Sequence, residues 1–329
     1  MDAWSDQRDW VTMTGAIRIG VVGIGKIARD QHLPAIAASP DFTLAAVASR
    51  HAGVEHVPSF ATIEEMLEQG PEIDAISICT PPEGRDAIAM RVIAAGKHVM
   101  IEKPPGATVG EVLAVIESAR AAGTAFYASW HSREAAAVAA ARAWLADREI
   151  RSVAINWREN IRKWHPGQDW ILAAGGFGVF DPGINALSIA TTILPGHLVV
   201  RRAALRVPAN RQSPIAADIA MTLAHDIPVT MALDFLQEEG ETWEILVDTA
   251  GGRLALTAGG SALAIDGTPL PSPHHAEYPS LYAHFARLIA EQRIDADLAP
   301  LQLVADSFLL AERETVAPFD FEIGVDAQG

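Results

Sequence analysis

Between residues 16 and 131 the apolar positions fall in short runs separated by stretches with helical spacing. Ile17–Val22 is one such run and leads into a glycine loop. Lys26–Ala38 has the spacing of a helix, Thr43–Ala48 that of a second strand, and Thr62–Glu68 that of a short helix opened by a capping residue. The alternation continues with a strand over Ala75–Cys79, a helix over Glu83–Ala95, a strand over Lys97–Ile101, a helix over Thr108–Ala122 and a strand over Ala125–Ser129. Strands that are apolar in both directions need cover on both faces. Parallel β-α-β units wound to the two sides of one sheet provide it.

The rhythm changes after Trp130. A helix over Glu134–Asp147, a strand over Ile150–Glu159 and a helix over Pro182–Leu194 are followed by strands close together: Leu198–Val207, Ala216–Ala224, Val229–Phe235, Thr242–Asp248 and Arg253–Thr257. Within one of them Val229, Met231, Leu233 and Phe235 alternate with Thr230, Ala232 and Asp234, the pattern of a largely antiparallel sheet with one packed face. Helices over Glu277–Gln292 and Ala299–Val316 close the chain. The fold class is therefore α/β followed by α+β. Residues 1–15 are expected as a loose tail, 16–131 as a doubly wound domain of Rossmann type, and 132–329 as a second domain whose open sheet needs a cover on its second face, for which a dimer is expected.

Half of the 329 residues are apolar and a fifth are charged, an ordinary mix for a chain of about two domains. The net charge of −16 repels phosphate backbones and anionic lipid, so neither nucleic acid nor membrane is expected as a partner. Helix-end amides and a few cations can still hold a pyrophosphate. The single cysteine, Cys79, forms no intrachain disulfide and reads as a buried strand thiol. Asp2, Asp6 and Asp9 make the first dozen residues unlike a secretory signal, Met13 is an alternative start, and a cytoplasmic location is expected.

Gly23-Ile24-Gly25-Lys26-Ile27-Ala28 follows the first strand and opens a helix, the context in which G-x-G-x-x-A cradles a dinucleotide. Gly23 permits the tight turn and Gly25 lets the pyrophosphate approach the backbone beside Lys26 and Ile27. The second strand ends Ala48-Ser49-Arg50-His51, with no acid for the ribose hydroxyls. Ser49 and Arg50 suit a 2′-phosphate, so NADP is the expected cofactor, with NAD tolerated.

Further strings carry a resemblance. His32-Leu33-Pro34-Ala35-Ile36 follows the fingerprint, Thr80-Pro81-Pro82 follows a strand, Gly96-Lys97-His98-Val99 leads to Glu102-Lys103-Pro104, and Gly175-Gly176 precedes Asp181-Pro182-Gly183. Together they resemble the glucose–fructose oxidoreductase/inositol dehydrogenase (Gfo/Idh/MocA) family over about residues 16–195. The family's Asp-x-Gly-x-His pattern ends here in Asn185, and Ile189 stands where another acid is common. With Trp130-His131-Ser132-Arg133 and Trp157-Arg158-Glu159-Asn160, the chain is similar to the aldose 1-dehydrogenases acting on D-galactose and L-arabinose.

That resemblance implies a hydride transfer from C1 of a pyranose to a nicotinamide, with a lactone as product and a small sugar as partner. It places Thr80, Pro81, Glu102 and Lys103 at the cofactor, and Lys103, Asp181 and Asn185 at the reacting carbon. Asp181 also suits a helix N-cap with Pro182 at the first helical position. Asn185 cannot exchange a proton at working pH, so the acceptor is Asp181 or Lys103. His131 and Glu159, at strand ends beside the interdomain cleft, are expected to bind ring hydroxyls, and Trp164 and Trp243 to cover the sugar's C–H face. No metal site is readable, since Trp164-His165 and His274-His275 lack ligand spacing and read as loops. An inositol- or glucose-type dehydrogenase of the same family, disfavoured by Asn185, and a non-catalytic sugar or nucleotide sensor, disfavoured by Lys103 and Asp181, are the rival expectations.

Overall fold

Apolar runs and glycine turns build the first layer as the sequence predicts. The computed structural model describes residues 15–224, 226–272 and 276–322, so the expected tail up to residue 14 and the pair His274-His275 lie outside the described residues. Strand β1 (Ile17–Val22) ends at the glycine loop, and the chain is helical from Lys26 to Ala38. Ala28–His32 widens into a π-turn, with the Leu33 N–H bonded to the Ala28 carbonyl, before α1 (Leu33–Ala38). Pro34 explains the widening: it has no N–H for the usual bond, and its ring crowds the carbonyl four residues back.

Then follow β2 (Phe42–Ala48), β3 (Ser59–Phe60), α2 (Ile63–Gln69), β4 (Ala75–Ile78), α3 (Arg85–Ala94), β5 (His98–Ile101), α4 (Val109–Ala122) and β6 (Phe126–Ala128). Thr62 and Thr108 cap α2 and α4, the latter through a reciprocal bond with Glu111. The 3-10 turn His131–Glu134 precedes α5 (Val138–Leu145), so the helix expected from Glu134 begins four residues later. The Ala137 N–H bonds the distant Gly260 carbonyl and not the preceding turn.

The second layer comprises β7 (Ile150–Arg158), α6 (Ile161–Trp164), α7 (Phe180–Ile193), β8 (Leu198–Pro208), β9 (Ala216–Leu223), β10 (Ile227–Asp234), β11 (Thr242–Thr249), β12 (Gly252–Thr257), β13 (Ala262–Ile265) and β14 (Thr268–Leu270). The chain closes with α8 (Glu277–Glu291), β15 (Ile294–Asp295), α9 (Ala299–Leu310) and β16 (Ala311–Val316). The closing helix was expected to run to Val316; it stops at Leu310, and the remainder pairs in parallel with the edge strand β8. Arg202 pairs across the strands with Glu312 and Arg206 with Glu314, contacts that a continued helix would lack.

The first sheet is wholly parallel, in the order β15-β6-β5-β4-β1-β2-β3. Its order reverses between β1 and β4, where such sheets open a ligand crevice at their carboxyl edge. The second sheet runs β14-β13-β12-β11-β7-β10-β9-β8-β16 and is antiparallel except for the pairs β7–β10 and β8–β16. Helix α7 crosses its inner face so closely that a methyl on Gly183 would lie 2.7 Å from Leu233 of β10. The chain also returns to the first sheet. Tyr282 and Phe285 of α8 pack on Phe42 with ring centroids 5.4 and 5.9 Å away, and β15 forms the sheet's edge beside β6. No helix among the described residues is long and apolar enough to cross a membrane.

Candidate active site

The crevice begins where the loops after β1 and β4 touch. Gly23 has φ +89°, and a Cβ there would sit 2.8 Å from the Thr80 nitrogen, so both conformation and contact demand glycine. Above Gly25 the opposite holds: an added Cβ would meet nothing within 4 Å among the described residues beyond its own chain neighbours. Thr80 Oγ1 is buried and finds no partner among the described residues. An empty concavity over a helix start, beside an unpaired hydroxyl, fits a dinucleotide pyrophosphate. Ile27 exposes its side chain there, and Lys26 is paired with Asp30 one helical turn on. Pro81 is exposed at the same rim.

At the end of β2 the Ser49 N–H is bonded to the Phe60 carbonyl, and Arg50 is exposed without an ion pair among the described residues. An exposed guanidinium and a hydroxyl thus stand together at this strand end. Arg85, buried at the start of α3, donates to the carbonyls of Thr80, Glu102 and Pro104. It thereby ties the loop after β4 to the loop after β5. Burial pulls its guanidinium down to about 10, against the attraction of Glu102, which leaves it charged at neutral pH.

Lys103 leaves the carboxyl end of β5 and reaches α7. Its Nζ donates to the Asp181 carbonyl at 3.0 Å and lies 3.4 Å from Asp181 Oδ2, with both side chains largely buried. Asp181 is not the N-cap that the sequence suggests. The helix begins at Phe180 with Val179 in the capping position and no side-chain cap, so Asp181 stands in the first turn and Pro182 after it. The Phe180 and Asp181 N–H groups bond back to Phe177 and Gly178, which starts the helix early. A carboxylate in a first turn is favoured by the helix dipole, and freedom from capping leaves it for Lys103. Asn185, one turn on and on the same face, makes no side-chain hydrogen bond to the described residues.

Beyond Asp181 the wall continues through the near approach of His165 and then through hydrogen bonds to Glu159. His165 Nε2 lies 3.9 Å from Asp181 Oδ2 and 3.2 Å from Glu159 Oε1, and Trp243 Nε1 donates to Glu159 Oε2 at 3.0 Å. Trp164 leans on Trp243 with centroids 5.2 Å apart, and its Nε1 donates to Glu241. The structure therefore gathers Lys103, Asp181, Asn185, Glu159, Trp164 and Trp243 into one wall. Both carboxylate oxygens of Glu159 are already held by His165 and Trp243.

His165, read from sequence as a loop residue, is the side chain that joins Asp181 to Glu159. Its only sequence signal is its place next to Trp164, just after the strand ending in Glu159. His131 is set slightly apart. Its Nδ1 contacts Glu277 Oε2 at 2.6 Å, and its ring stacks on Tyr278 at 5.6 Å.

Glu102 departs most from expectation. Assigned to the cofactor, it is 2% exposed and has no polar atom free for one. Oε1 accepts from Tyr278 and faces His32, Oε2 accepts from the Lys103 N–H, its carbonyl accepts from Arg85, and its N–H bonds the Ile78 carbonyl. Two buried donors turn the carboxylate inward, away from the crevice.

Comparison with known proteins bears on this geometry. Residues 17–129 match the family model GFO_IDH_MocA, an oxidoreductase family with an NAD-binding Rossmann fold. The chain is 48% identical to the galactose 1-dehydrogenase of Pseudomonas fluorescens over 92% of its own length and 98% of that protein. It superposes on the crystal structure of a D-galactose-1-dehydrogenase from Rhizobium etli with a TM-score of 0.89 and 50% identity, covering 93% of this chain and 98% of that one. A 3-ketoreductase from Actinomadura kijaniata, solved with NADP, has the same fold at a TM-score of 0.77 and 20% identity, covering 93% of this chain and 100% of the other.

Proposed function

The chain belongs to the Gfo/Idh/MocA oxidoreductase family, and from that premise we propose that it is an NADP-dependent aldose 1-dehydrogenase that converts D-galactose or L-arabinose-type pyranoses to the lactone, with NAD tolerated. The observation that carries this reading is the meeting of Lys103 with Asp181, Nζ 3.4 Å from Oδ2, at the carboxyl edge of the parallel sheet. Its similarity to two galactose dehydrogenases along nearly their whole length supports the choice of sugar. Residues 16–131 hold the nucleotide in this reading, and residues 132–329 supply the sugar wall, with α8 and β15 returning to the first sheet.

A nicotinamide held beside Lys103 would supply the acceptor for the hydride of C1, leaving the protein's own residues to receive the proton that the C1 hydroxyl loses as its C–O bond becomes a carbonyl. Ionised Asp181 offers only acceptor sites and takes that proton. Lys103 offers only donors while charged; it steadies the oxygen as negative charge develops and keeps Asp181 aimed. Asn185 bonds the same hydroxyl through its unpaired amide and adds no proton exchange. His165 and Glu159 hold one another at the far end of Asp181, so that ring hydroxyls meet a fixed set of partners. Trp243 and Trp164 face the apolar side of the sugar and exclude water, and His131 closes the side next to α8.

The end of β2 supports NADP: Arg50 is free to pair with a 2′-phosphate, and no carboxylate there opposes it. The outer face of the second sheet carries a shallow groove lined by Asn156, Arg202, Ala204, Asp218, Ala220 and Thr230. We infer a homodimer through that face, which sedimentation velocity tests. For the activity, the test is turnover with D-galactose, L-arabinose, D-fucose, D-glucose, D-xylose and myo-inositol, each with NADP and NAD. The first three should be oxidised best with NADP. Activity confined to myo-inositol, or none with any sugar, would overturn the assignment in favour of an inositol dehydrogenase or a sensor.

A further inference from the structure

Beneath the crevice lies a buried polar cluster that the reaction itself does not use. Glu102 Oε1 receives the Tyr278 hydroxyl at 2.7 Å and His32 Nε2 at 3.1 Å, and Oε2 receives the Lys103 backbone N–H at 2.7 Å. His32 is fully buried in the π-turn after the glycine loop, and its other nitrogen meets Tyr282 Oη at 2.8 Å and Ser77 Oγ at 3.2 Å. Tyr278 and Tyr282 are four residues apart on α8, so they present one face. The cluster joins the cofactor helix, β4, the loop after β5 and a helix contributed from the far end of the chain.

Three donors converge on one side chain, and only an ionised carboxylate accepts from all of them. An amide would turn its NH2 against at least one. Burial works against the charge on Glu102. The bond from His32 and the charges of His32 and His131 outweigh it and hold the carboxyl well below its ordinary range. An ionic group this deep is costly unless every acceptor is satisfied, and here every acceptor is. One of its bonds goes to the backbone of Lys103, whose other end reaches Asp181.

We propose that Glu102 is a positioning residue: clamped by His32 and Tyr278, it fixes the backbone of Lys103, so that α8 sets where the lysine amine meets Asp181. This rests on Lys103 taking part in the reaction. Glu102 is buried, its carboxylate is held by protein donors, and it acts through the backbone of Lys103. Its action is to narrow the range over which the amine can wander from the reacting oxygen, a requirement felt in turnover more than in binding.

The test is a double-mutant cycle on D-galactose turnover with NADP, using Tyr278→Phe, Lys103→Ala and the pair, with melting temperature and the Kd for NADP measured alongside. Tyr278→Phe removes one donor and little volume; it should lower kcat about fivefold, the size of one hydrogen bond, and leave the Kd for NADP within twofold. On the Lys103→Ala background it should leave the residual kcat unchanged, because the group being positioned is gone. A second readout is exchange of the Lys103 amide hydrogen, expected to quicken at least tenfold in Tyr278→Phe while the amides of Val99 and Ile101 stay as they were. An equal loss of kcat in both backgrounds, no loss in either, or unchanged exchange at Lys103 overturns the proposal. Normal turnover in Lys103→Ala alone would instead remove Lys103 from the mechanism, and Glu102's role with it.

Discussion

Gly25→Ala separates the two things a glycine can do at a nucleotide loop. Among the described residues, a methyl at Gly25 would meet no atom within 4 Å beyond its own chain neighbours. Its backbone is outside the left-handed region, so the chain tolerates alanine; lost unfolded-chain entropy favours the change while the helix start slightly disfavours it. The net effect on stability stays within about 1 kcal/mol, or roughly 1.5 °C in Tm for a chain of this length. The same methyl occupies the space where a pyrophosphate would rest. Displacing it from two helix-end amides at about 1.5–3 kcal/mol each costs ~3–6 kcal/mol, about 10²–10⁴ in Kd.

Gly23→Ala is the contrast. Its methyl would lie 2.8 Å from the Thr80 nitrogen at φ +89°, so it strains the fold as well as the site. The conformation alone costs about 1–3 kcal/mol, and several degrees of Tm should go with it. Titration with NADP followed by tryptophan fluorescence gives the affinities, and differential scanning calorimetry gives Tm. Gly25→Ala binding NADP within about threefold of the parent would refute the placement of the pyrophosphate. A large fall in its Tm would refute the claim that the space over Gly25 is empty of protein.

Asp181→Asn keeps the size of the side chain and removes its capacity to take a proton; kcat should fall by about 10²–10⁴ with the Kd for NADP unchanged, and near-normal turnover would return the proton to Lys103. Arg50→Ala should reduce the preference for NADP over NAD by about 10- to 100-fold, measured as the ratio of kcat/KM values, because one charge-assisted contact to the 2′-phosphate is lost. Glu102 supplies a pH prediction. Its folded pKa lies below the ordinary 4.5, so the unfolded chain binds the proton first. Its stabilisation is complete above that value and fades as pH falls through the folded one. The urea midpoint of the parent should therefore drop more steeply below about pH 4.5 than that of Glu102→Gln, and parallel curves would show that Glu102 is not held ionised.

The strands of the first sheet were legible because burial on both faces leaves an unbroken apolar signature, as in Val99–Ile101. The nucleotide loop was legible for a different reason: Gly23 and Gly25 act through their own backbone, which needs no distant partner to be recognised. Where sequence failed, the deciding partner lay far along the chain. Ala311–Val316 is a strand because the edge of β8 accepts it, and Asp181 is freed from capping because Phe180 starts α7 early. His165 matters because folding brings it to Asp181, and Glu102 because Tyr278, 176 residues away, reaches it. Their local sequences carry no trace of those meetings. Lys103 and Asp181 were found through the strings around them, while the 78 residues separating them say nothing about their 3.4 Å approach.

The return of α8 and β15 to the first sheet has a consequence for synthesis. Phe42 receives Tyr282 and Phe285, and Phe126 gains an edge neighbour in Ile294, only after almost the whole chain has left the ribosome. A nascent segment ending near residue 131 would hold a sheet with one flank bare and one rim unpaired, a surface prone to stick to its neighbours. Fragments cut at that position should accumulate as insoluble material, and chaperones that shield apolar surfaces would be needed longest for the half that is made first.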